Sequence, residues 1–182
     1  MPNAMPSELF SAPTYIVLDL PSLAAEEVTA LRARYDPYEA NLPPEITVAG
    51  SSGAGTLAEA QSATDVFAAL ARIARRHAPF VCAFESMQRF PGVPVFWLKP
   101  RDRLPFDALH SALLESGVRF SSSPFVFTPH CTISATVELS KEQESELLCC
   151  SIPKKDFVLD KLSVYELVGG QARLLQSFPL GA

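Results

Sequence analysis

The chain has 182 residues, a formal net charge of −5, and 48% apolar against 19% charged residues. This suits one compact domain, or two small lobes sharing an interface, with a sizeable core, and the composition is too apolar for a disordered chain. The negative balance argues against a broad grip on a nucleic-acid backbone, so no DNA duplex is expected as partner, whereas a nucleotide or an RNA end held in a local pocket stays open.

In chain order, residues 1–12 read as a loose tail. Residues 15–20 form a short, mostly apolar strand. Pro21-Ser22 opens a helix in which Leu23, Val28, Leu31 and Tyr35 recur at helical spacing, ending before Pro37. A strand follows at Pro44-Glu45-Ile46-Thr47-Val48. The glycine-rich stretch 50–55 leads into a helix expected over 56–77. Thr56 and Glu59 form its capping-box pattern, and Leu57, Ala60, Phe67, Leu70 and Ala74 its apolar stripe. His77 falls at the end of that helix, where the dipole favours a cation, and reads as exposed or dipole-linked rather than catalytic.

Residues 80–90 read as one strand, 91–94 as a turn and 95–98 as a buried strand. Pro105 is a first helical residue, with Phe106, Leu109 and Leu113 on one face and Gly117 as the stop. His110 on this helix is expected to be exposed or half-buried. Residues 121–124 are a loop before the strand that carries His130. Ser140 and Gln143 form a second capping box, opening a helix through about Cys150. Strands over 157–168 and 172–178 meet at Gly169-Gly170, a hairpin signal.

Two of these strands carry the chemistry. Pro129-His130-Cys131-Thr132-Ile133 and Pro44-Glu45-Ile46-Thr47-Val48 both read Pro, titratable residue, x, Thr, aliphatic. Side chains alternate along a strand, so His130 and Thr132 share one face while Cys131 and Ile133 share the other. Glu45 and Thr47 are likewise set against Ile46 and Val48. Laid side by side, such strands bury their aliphatic faces and line a polar cleft with one titratable group and one hydroxyl each. The element order is strand, helix, Glu45 strand, helix, strand, followed by strand, helix, His130 strand, helix and two strands. It suggests an internal duplication over roughly 13–93 and 94–182 within a single domain spanning 1–182.

A pair of H-x-T-x motifs about half a chain apart in a duplicated α+β sequence resembles the 2H phosphoesterase superfamily, which includes 2′-5′ RNA ligase-like proteins and cyclic nucleotide phosphodiesterases. His130-Cys131-Thr132-Ile133, with its lead-in Gly117-Val118-Arg119-Phe120 and Pro129, matches the second motif; Glu45-Ile46-Thr47-Val48 departs from the first by having Glu where the family has His. The resemblance implies an α+β fold of two pseudo-symmetric antiparallel lobes with helices outside and a central cleft. It implies a metal-independent phosphodiesterase acting on a small nucleotide or RNA terminus, such as a 2′,3′-cyclic phosphate or a 2′-5′ linkage. His130 and the Glu45 position would then do the acid/base work, while Thr132 and Thr47 would hold phosphate oxygens. The alternative is a catalytically degenerate protein that binds nucleotides or RNA ends.

Glu45 changes the electrostatics. An ionised carboxylate about 4 Å from a phosphate costs on the order of 4 kcal/mol at an effective dielectric near 20. Four outcomes stand open. A protonated Glu45 donates to the phosphate; an ionised Glu45 acts as base with His130 as acid; the chemistry is lost and a binding cleft remains; or an ionised Glu45 pairs with a cation on a different ligand.

Other features read as structural. The stretch 50–56 has P-loop spacing but no lysine before Thr56. Cys131 points away from His130 by strand parity and reads as a buried structural thiol. Phe96, Trp97, Phe125 and Phe127 are candidates to stack a base, although core or rim is the plainer reading. The four cysteines, Cys82, Cys131, Cys149 and Cys150, lack a framework spacing, as in a reduced, cytoplasmic protein. The first 13 residues lack a basic start followed by an apolar run, and no stretch nears 18 consecutive apolar residues, so neither a signal peptide nor a membrane span is expected. The three histidines lack ligand spacing, so neither metal nor cofactor is expected. A monomer is expected.

Overall fold

A computed structural model describes residues 9–10 and 12–182. Its elements run β1 (Thr14–Asp19), α1 (Ser22–Tyr35), a 3-10 turn (Glu39–Asn41), β2 (Glu45–Ala49), α2 (Ala63–Arg76), β3 (Phe80–Cys82), β4 (Phe84–Arg89), β5 (Phe96–Pro100), α3 (Leu104–Leu114), β6 (Cys131–Ser134), α4 (Lys141–Cys149), β7 (Phe157–Leu159), β8 (Lys161–Val168) and β9 (Gln171–Pro179). One sheet has the order β2-β1-β8-β9, a second β4-β5-β6, and β3 pairs with β7 in a two-stranded ribbon. Every pairing is antiparallel. The first sheet therefore joins the N-terminal strands to the C-terminal hairpin, and the second is built from the middle of the chain.

Alternation explains both sheets. Ile16, Leu18, Ile46, Val48, Leu162 and Val164 are fully buried on one face of the first sheet. There α2 lies against β8 and β9, and α3 lies against β2. In the second sheet α1 packs on β6 and α4 on β4. The helices cover the outer faces, and the edge strands β2 and β6 meet between the two sheets. The fold is the mixed α+β arrangement of antiparallel lobes that the sequence suggests.

Several boundaries differ from expectation, each for a visible reason. The helix expected from Thr56 begins at Ala63, with Ser62 as its N-cap accepting from the Asp65 N–H. Residues 56–61 are instead cross-tied to distant backbone. Leu57 N–H donates to Thr14 O, Ala58 N–H to Arg119 O, and the Gln61 side chain bonds Ala58 O and Arg119 O. Long-range bonds win there over a local capping pattern. The single strand expected over 80–90 breaks at Ala83, because β3 pairs with β7 and β4 with β5. The strand expected over 157–168 divides in the same way, between β7 and β8. Much of the tail expected over 1–12 lies outside the described residues. Phe10, which is described, is buried edge-to-face on Phe67, and so is no tail residue.

In α1 the buried stripe is Ala24, Val28, Arg32 and Tyr35, while Leu23 is 68% exposed. The helix is thus rotated from the expected face, and it buries an arginine. His110 is buried rather than exposed. Its Nδ1–H donates to Val48 O at 2.8 Å, and its ring stacks on Phe127 at 3.9 Å. His77 caps the end of α2, with Nδ1–H donating to Ile73 O.

Candidate active site

The open face of the first sheet is polar. Cross-strand partners share a face, and the register pairs Asp19 with Glu45, Val17 with Thr47, Val17 with Ser163, Tyr15 with Tyr165 and Ser163 with Ser177. Glu45 and Thr47 therefore stand beside Asp19, Ser163 and the stacked pair Tyr15 and Tyr165. Asp19 is the hub. Its carboxylate accepts from Ser163 Oγ at 2.5 Å and Tyr165 Oη at 2.9 Å, and Lys161 Nζ lies 3.6 Å away. Thr47 Oγ1 lies 3.1 Å from each Glu45 oxygen and holds that carboxyl in place.

Three contacts fix how β2 and β6 meet. Arg32 Nε donates to Thr132 O at 2.9 Å, while its Nη1 donates to Leu42 O at 3.0 Å. The Cys131 thiol sits against the Glu45 backbone. His110 bonds Val48 O and stacks on Phe127. Residue 42 is thus near 132, 45 near 131 and 48 near 127, so the two motif segments run antiparallel, with the Glu45 backbone beside Cys131. The structure brings β2, which carries Glu45 and Thr47, against β6, which carries Thr132 and follows His130.

His130 itself lies one residue before β6, held by a local bond rather than by the ladder. Its Nδ1 is 2.6 Å from Thr128 O. A carbonyl only accepts, so Nδ1 carries the proton, and in the neutral ring Nε2 keeps a free lone pair. Phe90 and Trp97 wall the imidazole edge-on, at centroid distances of 5.1 and 5.7 Å, and are themselves stacked at 4.8 Å. The loop before His130 is pinned to the loop after β2: Gly53 N–H donates to Phe125 O at 2.8 Å, and Ser123 Oγ donates to Ser51 O at 3.2 Å. Gly53 has φ +64°, and a Cβ there would come within 2.6 Å of His110 Nε2 and 2.8 Å of Phe127 Cβ. Only glycine fits that crossing.

The titrating groups move in opposite directions. Burial raises the Glu45 carboxyl from 4.5 to about 7, against the pull of Arg32 and the Thr47 hydroxyl and with help from Asp19 and Glu39. Burial pushes His130 below its ordinary 6.5, partly offset by the bond to Thr128. Near neutrality His130 is then a neutral imidazole, and the Glu45 carboxyl still carries much of its proton. Burial also pushes the Cys131 thiol up to about 12, so it stays protonated and serves as the buried structural thiol its strand parity suggests.

Of the candidate stacking aromatics, Phe96, Trp97 and Phe127 are buried and Phe125 is 65% exposed. The hollow of about 420 Å³ lined by Gln61, Asp65, Arg72 and Arg119 includes neither His130 nor Glu45. Sequence reasoning missed Arg32, Asp36 and Asp19. Arg32 was detectable as the polar member of the 24–28–32–35 stripe, and Asp19 as the residue in phase with Tyr15. Asp36 had no local signal. Its carboxylate accepts from the backbone N–H groups of Glu39, Ala135 and Thr136 and from the Thr136 hydroxyl, tying the end of α1 to the exit of β6.

Comparison with known proteins agrees with this architecture. The family described as the 2′-5′ RNA ligase superfamily matches residues 20–171. TT0787 of Thermus thermophilus superposes with a TM-score of 0.70 at 18% identity, covering 93% of this chain and 98% of its own. E. coli LigT in apo form superposes with a TM-score of 0.59 at 21% identity, covering 97% of this chain and 100% of its own. A crystal structure of E. coli LigT complexed with 3′-AMP gives 0.59 at 21% identity, covering 94% of this chain and 99% of its own. At these identities the likeness establishes the fold. No curated protein matches.

Proposed function

Because this chain belongs to the 2′-5′ RNA ligase superfamily of phosphoesterases, we propose that it is a metal-independent phosphodiesterase in which His130 is the base and Glu45 the acid. Its substrate is a small nucleotide or an RNA terminus, with a 2′,3′-cyclic phosphate as the reference case. The observation that supports this reading is the meeting of the two motif segments, with the Cys131 thiol against the Glu45 backbone and Arg32 bonded to both Thr132 O and Leu42 O. Nucleotide chemistry is supported by relatives of the same fold, since E. coli LigT has been crystallised with 3′-AMP, with ATP and with phosphate.

The roles follow from protonation. His130 Nε2, free and neutral, takes a proton from water as the water oxygen attacks phosphorus. The P–O bond to one ribose oxygen breaks, and Glu45 gives that oxygen its proton. The product is a phosphomonoester, with His130 protonated and Glu45 ionised until they exchange protons with solvent. In this reading the Thr132 hydroxyl donates to a phosphate oxygen. Thr47 holds the Glu45 carboxyl and shares the phosphate side of the site. A protonated Glu45 also removes the repulsion that an ionised carboxylate would impose on the substrate.

The test is hydrolysis of 2′,3′-cyclic nucleotides by the wild type, His130→Ala and Glu45→His. Turnover by the wild type that falls by about 10²–10⁴ in His130→Ala supports the reading. An inactive wild type that gains activity as Glu45→His refutes it and identifies a degenerate member. Nucleotide binding without turnover identifies a binding protein.

A further inference from the structure

The geometry points to Arg32 as the positioning residue of this site: one guanidinium, buried beneath both motif strands, locks the Glu45 segment to the His130 segment and brings a positive charge to Glu45. This rests on the acid/base reading of Glu45 and His130.

Arg32 is 2% exposed and sits on the core-facing stripe of α1. A buried cation is costly unless its donors are satisfied. Here three carbonyls accept from it, Thr132 O on β6 with Leu42 O and Glu39 O at 3.0 and 3.1 Å in the lead-in to β2, and the Cys131 thiol is a fourth neighbour. No carboxylate among the described residues pairs with it. Its charge is therefore not neutralised by a contact partner, and Glu45 feels it.

The three carbonyls explain why arginine stands there. Thr132 O belongs to the residue whose hydroxyl is proposed to hold phosphate. Leu42 O lies just before Pro43-Pro44-Glu45, a stiff approach that transmits the anchored position to Glu45. A planar fork reaches both backbones from one helix position, whereas a lysine ammonium has no such span. The same side chain sets strand spacing and opposes the groups that push the Glu45 proton affinity up. Those facing Glu45 are Asp19 and Tyr15 on β1, Glu39 in the 3-10 turn, Tyr165 on β8, and Cys131 on the facing segment. Lys161, the nearby surface cation, is engaged with Asp19.

The experiment titrates the Glu45 side-chain carboxyl by carbon NMR in the wild type, Arg32→Gln and Arg32→Lys, and measures kcat and KM on 2′,3′-cyclic AMP in parallel. In Arg32→Gln, which keeps a donor and loses the charge, the Glu45 midpoint rises by about one pH unit or more. In Arg32→Lys, which keeps the charge and loses the fork, the midpoint stays within about half a unit and kcat falls by about tenfold or more with KM less affected. Unchanged midpoints in Arg32→Gln overturn the electrostatic role, and wild-type kcat in Arg32→Lys overturns the positioning role. Should Arg32→Gln fail to fold, the kcat of Arg32→Lys decides. A wild type that hydrolyses nothing refutes the phosphodiesterase reading, while the titration still judges Arg32.

Discussion

Replacing Glu45 by Gln keeps the shape of the side chain and removes its titration. In the wild type the carboxyl goes from 4.5 in the unfolded chain to about 7 in the fold, chiefly through burial. A folded-state value raised above the unfolded one gives stability that is fully present below the unfolded pKa and is lost as pH rises through the folded pKa. The interval from 4.5 to about 7, at about 1.4 kcal/mol per pH unit, amounts to roughly 3 kcal/mol. Glu45 is half-buried, so water on its open side makes that figure an upper bound. Urea unfolding of wild type and Glu45→Gln, run in parallel from about pH 4 to about pH 8.5, isolates this contribution as the difference between two curves. His130 and Asp36 both have lowered values and lose stability on the acid side instead, but both are present in the variant and cancel. Relative to the variant, the wild type should lose up to about 3 kcal/mol across the range, mostly between about pH 5 and pH 7.5. A difference that stays flat would show a solvated carboxylate at Glu45 and refute the protonated-acid assignment.

Thr132→Val removes a hydroxyl proposed to donate to phosphate, and inorganic phosphate or substrate affinity should weaken about 10- to 100-fold, the worth of one hydrogen bond to a charged group; unchanged affinity by calorimetry contradicts that role. Gly53→Ala drives a Cβ into His110 and Phe127 at a left-handed backbone position, so it should destabilise by about 1–3 kcal/mol and lower turnover through the loop before His130; thermal unfolding and kcat together check this. Asp36→Ala leaves the N–H groups of Ala135 and Thr136 without their acceptor, and stability should fall by about 3 kcal/mol. In the wild type burial acts to raise the Asp36 carboxyl, yet the bonds from Thr136, Ala135 and Glu39 hold it below 3.8. Its contribution is therefore present above that pH and lost as pH falls through the lower folded value, and the variant should lack this part of the acid limb.

The parts of this protein legible in its sequence are those governed by local periodicity. Alternation in 45–48 and 131–133 sets Glu45 and Thr47 against the buried Ile46 and Val48, and Thr132 against the buried Cys131 and Ile133, and the register and burial of β2 and β6 agree. The Ser140 and Gln143 capping box forms as its spacing suggests. What escaped sequence reading depends on partners far along the chain. Thr56 and Glu59 present a capping pattern, but backbone bonds from residues 57 and 58 to Thr14 and Arg119 hold that stretch in a bent, non-helical path until Ser62. The stripe of α1 marks Arg32 as facing inward, but its partner Thr132 O on β6, one hundred residues away in sequence, has no local signal. The pairing of β1 with β8 likewise has no local signature, yet it places Ser163 and Tyr165 around Asp19, next to Glu45.

The pH dependence of kcat/KM on 2′,3′-cyclic AMP tests the central claim most directly. With neutral His130 as base and protonated Glu45 as acid, the wild type should give a narrow bell. Its acid limb should lie below 6.5, set by His130, and its alkaline limb near 7, set by Glu45. Glu45→Gln should lower the maximum and abolish the alkaline limb. A wild-type profile that keeps its alkaline limb in Glu45→Gln, or a wild type with no turnover at any pH, would contradict the account.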